Sequence, residues 1–161
     1  MIFRLSRKLA KKIKVEPTTL APQSENPFLD WSAHIFSAGR TQYIIITNTP
    51  SLLSMICYGK SVTDDNLFIL RTLSMMKEYL SEDPFTFYFP RIISPHTNRV
   101  LFSKSSDRSV IGSMNDLILN AKQLLGEENL SPYQAAQQIN KMPMSYLNYD
   151  TPERAFTKLR L

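Results

Sequence analysis

Residues 31–48, WSAHIFSAGRTQYIIITN, carry the pattern that decides the fold. Two apolar, aromatic and β-branched segments flank the turn sequence Ala38-Gly39-Arg40, which predicts two consecutive strands joined by a tight turn. The second segment is continuously apolar from Tyr43 to Ile46, which is typical of a strand in the interior of a sheet. The next apolar stretch, Leu52 to Tyr58, is predicted as a third strand, with a helix as the alternative.

Three further segments have strand-like composition. They are MIFRL (1–5), FTFYFPRII (85–93) and NRVLFSK (98–104). Pro90 places the second of them at a sheet edge or at a break, because proline cannot donate a hydrogen bond to a ladder.

Apolar residues at helical spacing predict two longer helices, over roughly residues 65–80 and 113–125. The start of the second fits the pattern S-x-x-[DE] at Ser113 and Asp116. Ser131 and Thr151 each precede a proline, a combination that favours the start of a helix. We therefore predict an α+β fold in which helices pack against a mostly antiparallel sheet of about five strands, with a helical C-terminus. Residues 1–161 are expected to form one globular domain.

The composition excludes several classes of protein. With 43% hydrophobic and 20% charged residues, the chain is typical of a folded globular protein. A single cysteine, Cys57, rules out an intrachain disulfide and fits a reducing compartment. No apolar run approaches the ~20 residues that span a bilayer, and no apolar signal region follows the basic start. We expect a cytoplasmic protein without a membrane span.

The positive charge is concentrated at the start of the chain. The first 14 residues hold six Lys or Arg and no acid, more than the whole chain's net charge of +5, so the remaining residues sum to −1. Because Leu5, Leu9 and Ile13 repeat at helical spacing, we predict that the strand at residues 1–5 is followed by a short helix over residues 7–14. Both are expected to be anchored to the domain with the lysines outward. The alternatives are a phosphate-binding arm or a membrane-surface or targeting segment. The candidate phosphate contacts are Arg4, Arg7, Lys8, Lys11, Lys12 and Lys14.

No catalytic, metal-binding or cofactor-binding residue is predicted. Cysteine–histidine catalysis has only Cys57, His34 and His96 to draw on, and the apolar surroundings of Cys57 are typical of a buried, unreactive thiol. Two isolated histidines do not form a zinc-binding pair. Four glycines in the whole chain leave no phosphate-cradling loop.

The segment SDRSVIGSMND (106–116) is the densest polar cluster. Its residues surround the predicted start of a helix, where free backbone N–H groups attract anions. The alternative is that they only cap the helix. An enzyme with a pocket formed by His34, Arg108, Asn115 and Asp116 is one further hypothesis, and it requires these four side chains to converge on one cleft.

Five segments in order resemble a small family of uncharacterised bacterial proteins known only as a domain of unknown function. The resemblance implies one compact domain of bacterial or mobile-element origin, but no activity. It draws attention to Trp31, Asn48, Arg108 and Asn115 as candidate binding residues. The segments are RLSRKLAKKIKV (4–15), DWSAHIF (30–36), YIIITNTPSLLSM (43–55), RSVIGSMNDL (108–117) and PMSYLNYDTPERAF (143–156).

The tail NKMPMSYLNYDTPERAF (140–156) is similar to the segment that closes many integrase-type transposases. The shared pattern is N-x-x-P followed by L-x-Y-x-T-P-x-x-x-F, and in those proteins it carries no catalysis. The upstream sequence departs from those transposases, because three acidic metal ligands on an RNase H-like βαβ pattern cannot be placed in it. A proline-initiated helix after a turn also produces this spacing by local physics alone.

These observations favour a small non-enzymatic binding protein that acts on a protein partner. A nucleic-acid-associated protein that uses the basic N-terminus is the alternative, and the enzyme described above is the second alternative.

Overall fold

One mixed sheet of five strands forms the centre of the protein. The computed structural model describes residues 1–161 and places the strands in the order β4-β3-β2-β1-β5. The central strand β2 pairs with β3, and β3 with β4, in antiparallel ladders that are longer than the two parallel ladders of β1 with β2 and β5. The predicted α+β class and the mostly antiparallel sheet are therefore confirmed. The strands are β1 (Ile2–Leu5), β2 (Asp30–Ala38), β3 (Thr41–Asn48), β4 (Ser54–Tyr58) and β5 (Leu101–Lys104).

Five α-helices accompany the sheet, and each begins at a side chain that accepts a backbone N–H group. The helices are α1 (Arg7–Lys12), α2 (Asp65–Tyr79), α3 (Arg108–Gly126), α4 (Pro132–Ile139) and α5 (Pro152–Lys158), with caps at Ser6, Asp64, Asp107, Ser131 and Thr151. Such caps satisfy N–H groups that have no partner within the helix. None of the helices has the length and apolar character needed to cross a bilayer.

The N-terminal segment folds into the domain as predicted. Leu9 and Ile13 are fully buried, whereas Arg7 and Lys8 are exposed. The apolar spacing of the segment thus determines its packing, and the charges of Arg7 and Lys8 stay at the surface.

The aromatic segment 85–93 is not a strand, so this prediction was wrong. Phe89–Ile93 forms a short π-helical turn, which a 3-10 turn follows at Ser94–His96. Pro90 and further prolines nearby remove the N–H groups that a ladder requires. Phe85 and Tyr88 instead pack around Phe156, with ring centroids 6.0 and 4.9 Å from it.

Helix α3 begins five residues earlier than its sequence pattern predicts. Its cap is Asp107, whose Oδ1 accepts the N–H groups of Ser109 and Val110 at 2.9 and 3.2 Å. The Ser113 hydroxyl lies inside the helix and donates to the Ser109 carbonyl at 2.8 Å. The predicted start at Ser113 and Asp116 is therefore wrong, because the stronger cap lies upstream and most of the polar cluster is helical.

A row of buried polar side chains crosses one face of the sheet. Strand register places one residue of each strand in this row, and all five are at most 9% exposed. Their polar atoms are paired, for example the Thr47 and Ser54 hydroxyls at 2.8 Å. Buried polar groups of this kind require hydrogen-bond partners, so the segments that cover this face must supply polar groups. We call Ser103, Arg4, Ser32, Thr47 and Ser54 the polar row.

Candidate ligand-binding clefts

A cleft of about 600 Å³ lies where the parallel strands β1 and β5 end. Leu5 and Lys104, the last residues of these strands, both line it. Ligands of sheet proteins often bind at the carboxyl ends of parallel strands, and this volume is in the range of small-molecule sites, about 300–1,000 Å³. We call it the α1 cleft; its lining residues are Leu5, Ser6, Arg7, Ala10, Lys11, Val15, Glu16, Pro17, His34, Lys104, Ser105 and Ile111.

The α1 cleft combines an apolar wall with an excess of positive charge. Leu5, Ala10, Val15 and Ile111 supply the apolar surface. The cleft has three cations, Arg7 and Lys11 one turn apart on α1 and Lys104 on β5, but only one acid, Glu16. This combination is suited to an anion that carries an apolar group.

His34 lies in the α1 cleft and has no hydrogen-bond partner in the protein. It is half-buried on β2, and no buried side-chain nitrogen in the structure lacks a partner, so both of its ring nitrogens are accessible to solvent. Burial lowers the pKa of His34 below its ordinary value, which favours the neutral ring. A neutral imidazole can both donate and accept one hydrogen bond.

A second, more polar cleft of about 230 Å³ lies over two residues of the polar row, Arg4 and Ser32. Its floor consists of Arg4, Asp30, Ser32 and Thr49, and Ser105 belongs to both clefts. The hydroxyls of Ser32 and Thr49 are hydrogen-bonded at 3.0 Å. The polar groups of this floor thus bond to one another, and the cleft does not present the apolar surface that the α1 cleft offers.

Arg4 and Asp30 form a buried, bidentate ion pair in the floor of this second cleft. Arg4 Nε and Nη2 donate to Asp30 Oδ1 and Oδ2, both at 2.7 Å. Although burial raises the pKa of the Asp30 carboxyl, the hydrogen bonds from Arg4 and Ser24 outweigh it and hold the pKa below its usual range. Asp30 therefore remains ionised next to the arginine.

Arg4 also fixes the loop that leads from α1 to β2. Its Nη1 and Nη2 donate to the carbonyls of Ala21 and Pro22 at 2.8 and 2.9 Å. The Ser103 hydroxyl accepts the Ala21 N–H at 2.9 Å. Of the six candidate phosphate contacts, Arg4 thus has its donors engaged inside the protein. The others lie on or beside α1, with Arg7, Lys8, Lys11 and Lys14 exposed and Lys12 half-buried.

The structure brings only His34 of the four hypothetical pocket residues into either cleft. Arg108, Asn115 and Asp116 are exposed on α3 and line neither of them. Two other candidates are fully buried. Trp31 Nε1 donates to the Phe28 carbonyl at 2.9 Å, and Asn48 Nδ2 to the Pro27 carbonyl at 2.8 Å, so both organise the entry into β2.

Cys57 and His34 lie on opposite faces of the sheet. His34 pairs with Ile45, and Ile45 with Ile56, so Cys57, the next residue along β4, points to the other face. Burial raises the pKa of the Cys57 thiol to about 11. The structure contains no group of three or more His, Cys, Asp or Glu residues that could hold a metal ion.

Taken together, these features define an α+β protein with an amphiphilic cleft at the carboxyl ends of two parallel strands. Residues 2–155 match the family model described as "Domain of unknown function (DUF6933)". The chain belongs to this family, which confirms the resemblance to a domain of unknown function over nearly its whole length. The comparison with curated proteins gives no match.

Proposed function

We propose that this is a cytoplasmic, non-enzymatic binding protein whose α1 cleft holds a small anion with an apolar body. The observation that carries the proposal is the apolar wall of the cleft beside Arg7, Lys11 and Lys104. The protein partner that the sequence favours stays a prediction.

The cations approach the cleft from two directions. Arg7 and Lys11 are four residues apart on α1 and therefore share one side of the helix, while Lys104 ends β5. A charge-assisted hydrogen bond from such a group contributes about 1.5–3 kcal/mol, and burial of an apolar group adds about 25 cal/mol per Å². Both contributions are available to one ligand only where the apolar and basic surfaces meet.

We expect Lys11→Glu to weaken the binding of anilinonaphthalene sulfonate, a fluorescent aromatic anion, by at least about tenfold. The substitution removes a donor and places a negative charge in the cleft. Fluorescence titration of the full chain measures the effect, and circular dichroism and thermal unfolding verify that the variant is folded.

Lys8→Glu is the matched control, because Lys8 is exposed on the same helix but does not line the cleft. It should change the dye affinity by less than about twofold, the scale of a screened surface charge. Equal losses in both variants would show that only overall charge matters. Absence of saturable binding to the wild-type protein would reject the proposal.

Nucleic-acid binding is the second candidate, and the exposure of Lys8 and Lys14 outside the cleft favours it. The affinity for a single-stranded RNA or DNA oligonucleotide should then fall steeply with salt. In the double variant K8E/K14E we expect the slope of log affinity against log salt to decrease by about one to two units. The same variant should retain the dye. No oligonucleotide binding at low salt would remove this candidate.

A further inference from the structure

We propose that His34 contacts the ligand of the α1 cleft and that an anion bound there is taken up together with a proton. This inference rests on the proposed function and names the group that regulates it. The proton goes to the free imidazole nitrogen of His34, which becomes an imidazolium and donates to the anion.

The first support is geometric. His34 is half-buried, lines the cleft and makes no hydrogen bond to any protein atom, although both ring nitrogens remain accessible. Polar groups within a fold usually have a partner in the protein or in ordered solvent. An oxyanion in the cleft would replace that solvent as the acceptor for the ring N–H.

The second support is the set of charges that face the ring. Helix α1 contributes Arg7 and Lys11, β5 contributes Lys104, and the loop after α1 contributes the only acid, Glu16. Helix α3 contributes Ile111, which is uncharged. In the empty cleft this excess of cations and the partial burial of the ring both disfavour a second proton on His34.

A bound anion reverses this balance. It offsets the three cations and places negative charge near the ring, so the pKa of His34 is higher in the complex than in the free protein. A group whose pKa rises on binding contributes affinity that is fully present below its free pKa and is lost as the pH rises through its bound pKa. Affinity should therefore increase on acidification across the neutral range.

The charges and the apolar wall of the α1 cleft specify the chemical class of its ligand. It is an oxyanion, such as a carboxylate, sulfonate or phosphate, attached to an apolar body that packs against Leu5, Ala10, Val15 and Ile111. A neutral apolar compound of the same shape would bind without taking up a proton.

Anilinonaphthalene sulfonate tests the inference because its sulfonate stays ionised over the whole range. Between about pH 8 and about pH 5 we expect its affinity for the wild-type protein to increase, up to the limit of about tenfold that a pKa rise of about one unit sets. Calorimetry in two buffers of different ionisation enthalpy should detect net proton uptake. His34→Gln should abolish both effects.

His96→Gln is the control, since His96 is exposed in the 3-10 turn and lines neither cleft. It should retain the wild-type pH dependence. A measurement that needs no variant is the NMR titration of the His34 ring with and without the dye, in which the bound state should show the higher pKa.

The possible failures are distinguishable. If Lys11→Glu weakens binding but the wild-type affinity does not depend on pH, or if His34→Gln keeps the dependence, the role of His34 is refuted and the cleft remains the binding site. If the dye does not bind saturably at any pH, the proposed function and this inference are both refuted.

Discussion

Replacing Arg4 by Met should lower the free energy of unfolding by about 3–5 kcal/mol. The reason is the partner that remains: Asp30 is 0% exposed, and without Arg4 its carboxylate would be buried with no opposite charge. The carbonyls of Ala21 and Pro22 would lose their donor as well. For a domain of this size the expected decrease in melting temperature is about 10 °C, measurable by thermal unfolding, with urea titration giving the free energy.

Arg154→Met provides the matched control. Arg154 pairs with Asp150 at 3.3 Å, but its side chain is 71% exposed. Exposed pairs contribute little because water screens them, so the melting temperature should hardly change. Equal losses in the two variants would show that the Arg4 pair is no more than a surface contact.

The pH dependence gives this prediction a second signature. In the wild-type protein the pKa of Asp30 is held low, so its contribution to stability is present above the unfolded pKa and is lost as the pH falls through the folded pKa. In Arg4→Met only burial and the remaining hydrogen bonds act on the carboxyl, and its folded pKa should rise. The variant should consequently lose less stability than the wild type between about pH 6 and pH 3.

The buried environment of Arg4 could not be predicted from the local sequence. The apolar spacing of Leu5, Leu9 and Ile13 correctly predicts that the segment is anchored, because that information is local. The basic run groups Arg4 with the surface cations, yet on β1 it lies between Phe3 and Leu5 and points to the other face of the sheet. Its partner comes from a strand 26 residues further on, and only the sheet order brings the two together.

A local signal for the polar face did exist. In DWSAHIF, polar residues alternate with apolar ones at positions 30, 32 and 34, which is the period of a strand with two different faces. That alternation identifies the residues under both clefts, including His34. It does not show that the ends of β1 and β5 and the start of α3 enclose them, since those segments are far apart in the chain. The α1 cleft was therefore not predictable as a site.

Asn140, the first residue of the tail pattern, has a structural role that its sequence context does not reveal. Its side chain is fully buried and pairs with the edge strand β4, donating to the Ser54 carbonyl at 2.7 Å and accepting the Ser54 N–H at 2.8 Å. It also donates to the Tyr79 hydroxyl at 2.7 Å. Asn140 thus ties the end of α4 to the sheet and to α2. The first residue of the tail pattern therefore has a packing role in this fold.

Phe156→Ala should destabilise the protein by about 3–5 kcal/mol, as expected for a large aromatic side chain removed from a core. Phe156 is 0% exposed, and its ring centroid lies 5.3 Å from that of Phe28 and 4.9 Å from that of Tyr88. The ring centroids of Phe156 and Trp31 are 6.3 Å apart. The helix that carries it, α5, has only seven residues and is too short to be stable without this contact.

The C-terminal helix should therefore separate from the domain before the sheet unfolds. Hydrogen exchange in Phe156→Ala should accelerate first in residues 152–158, and the near-ultraviolet circular dichroism of Trp31 and the other aromatic rings around position 156 should weaken. Phe87→Ala is the control, because Phe87 belongs to the same aromatic segment but is 58% exposed. If both variants lose equal stability, α5 is not integrated into the core. If only Phe156→Ala loses stability, the segment T-P-x-x-x-F attaches α5 to the domain: Thr151 caps the start of the helix, and Phe156 packs into the core.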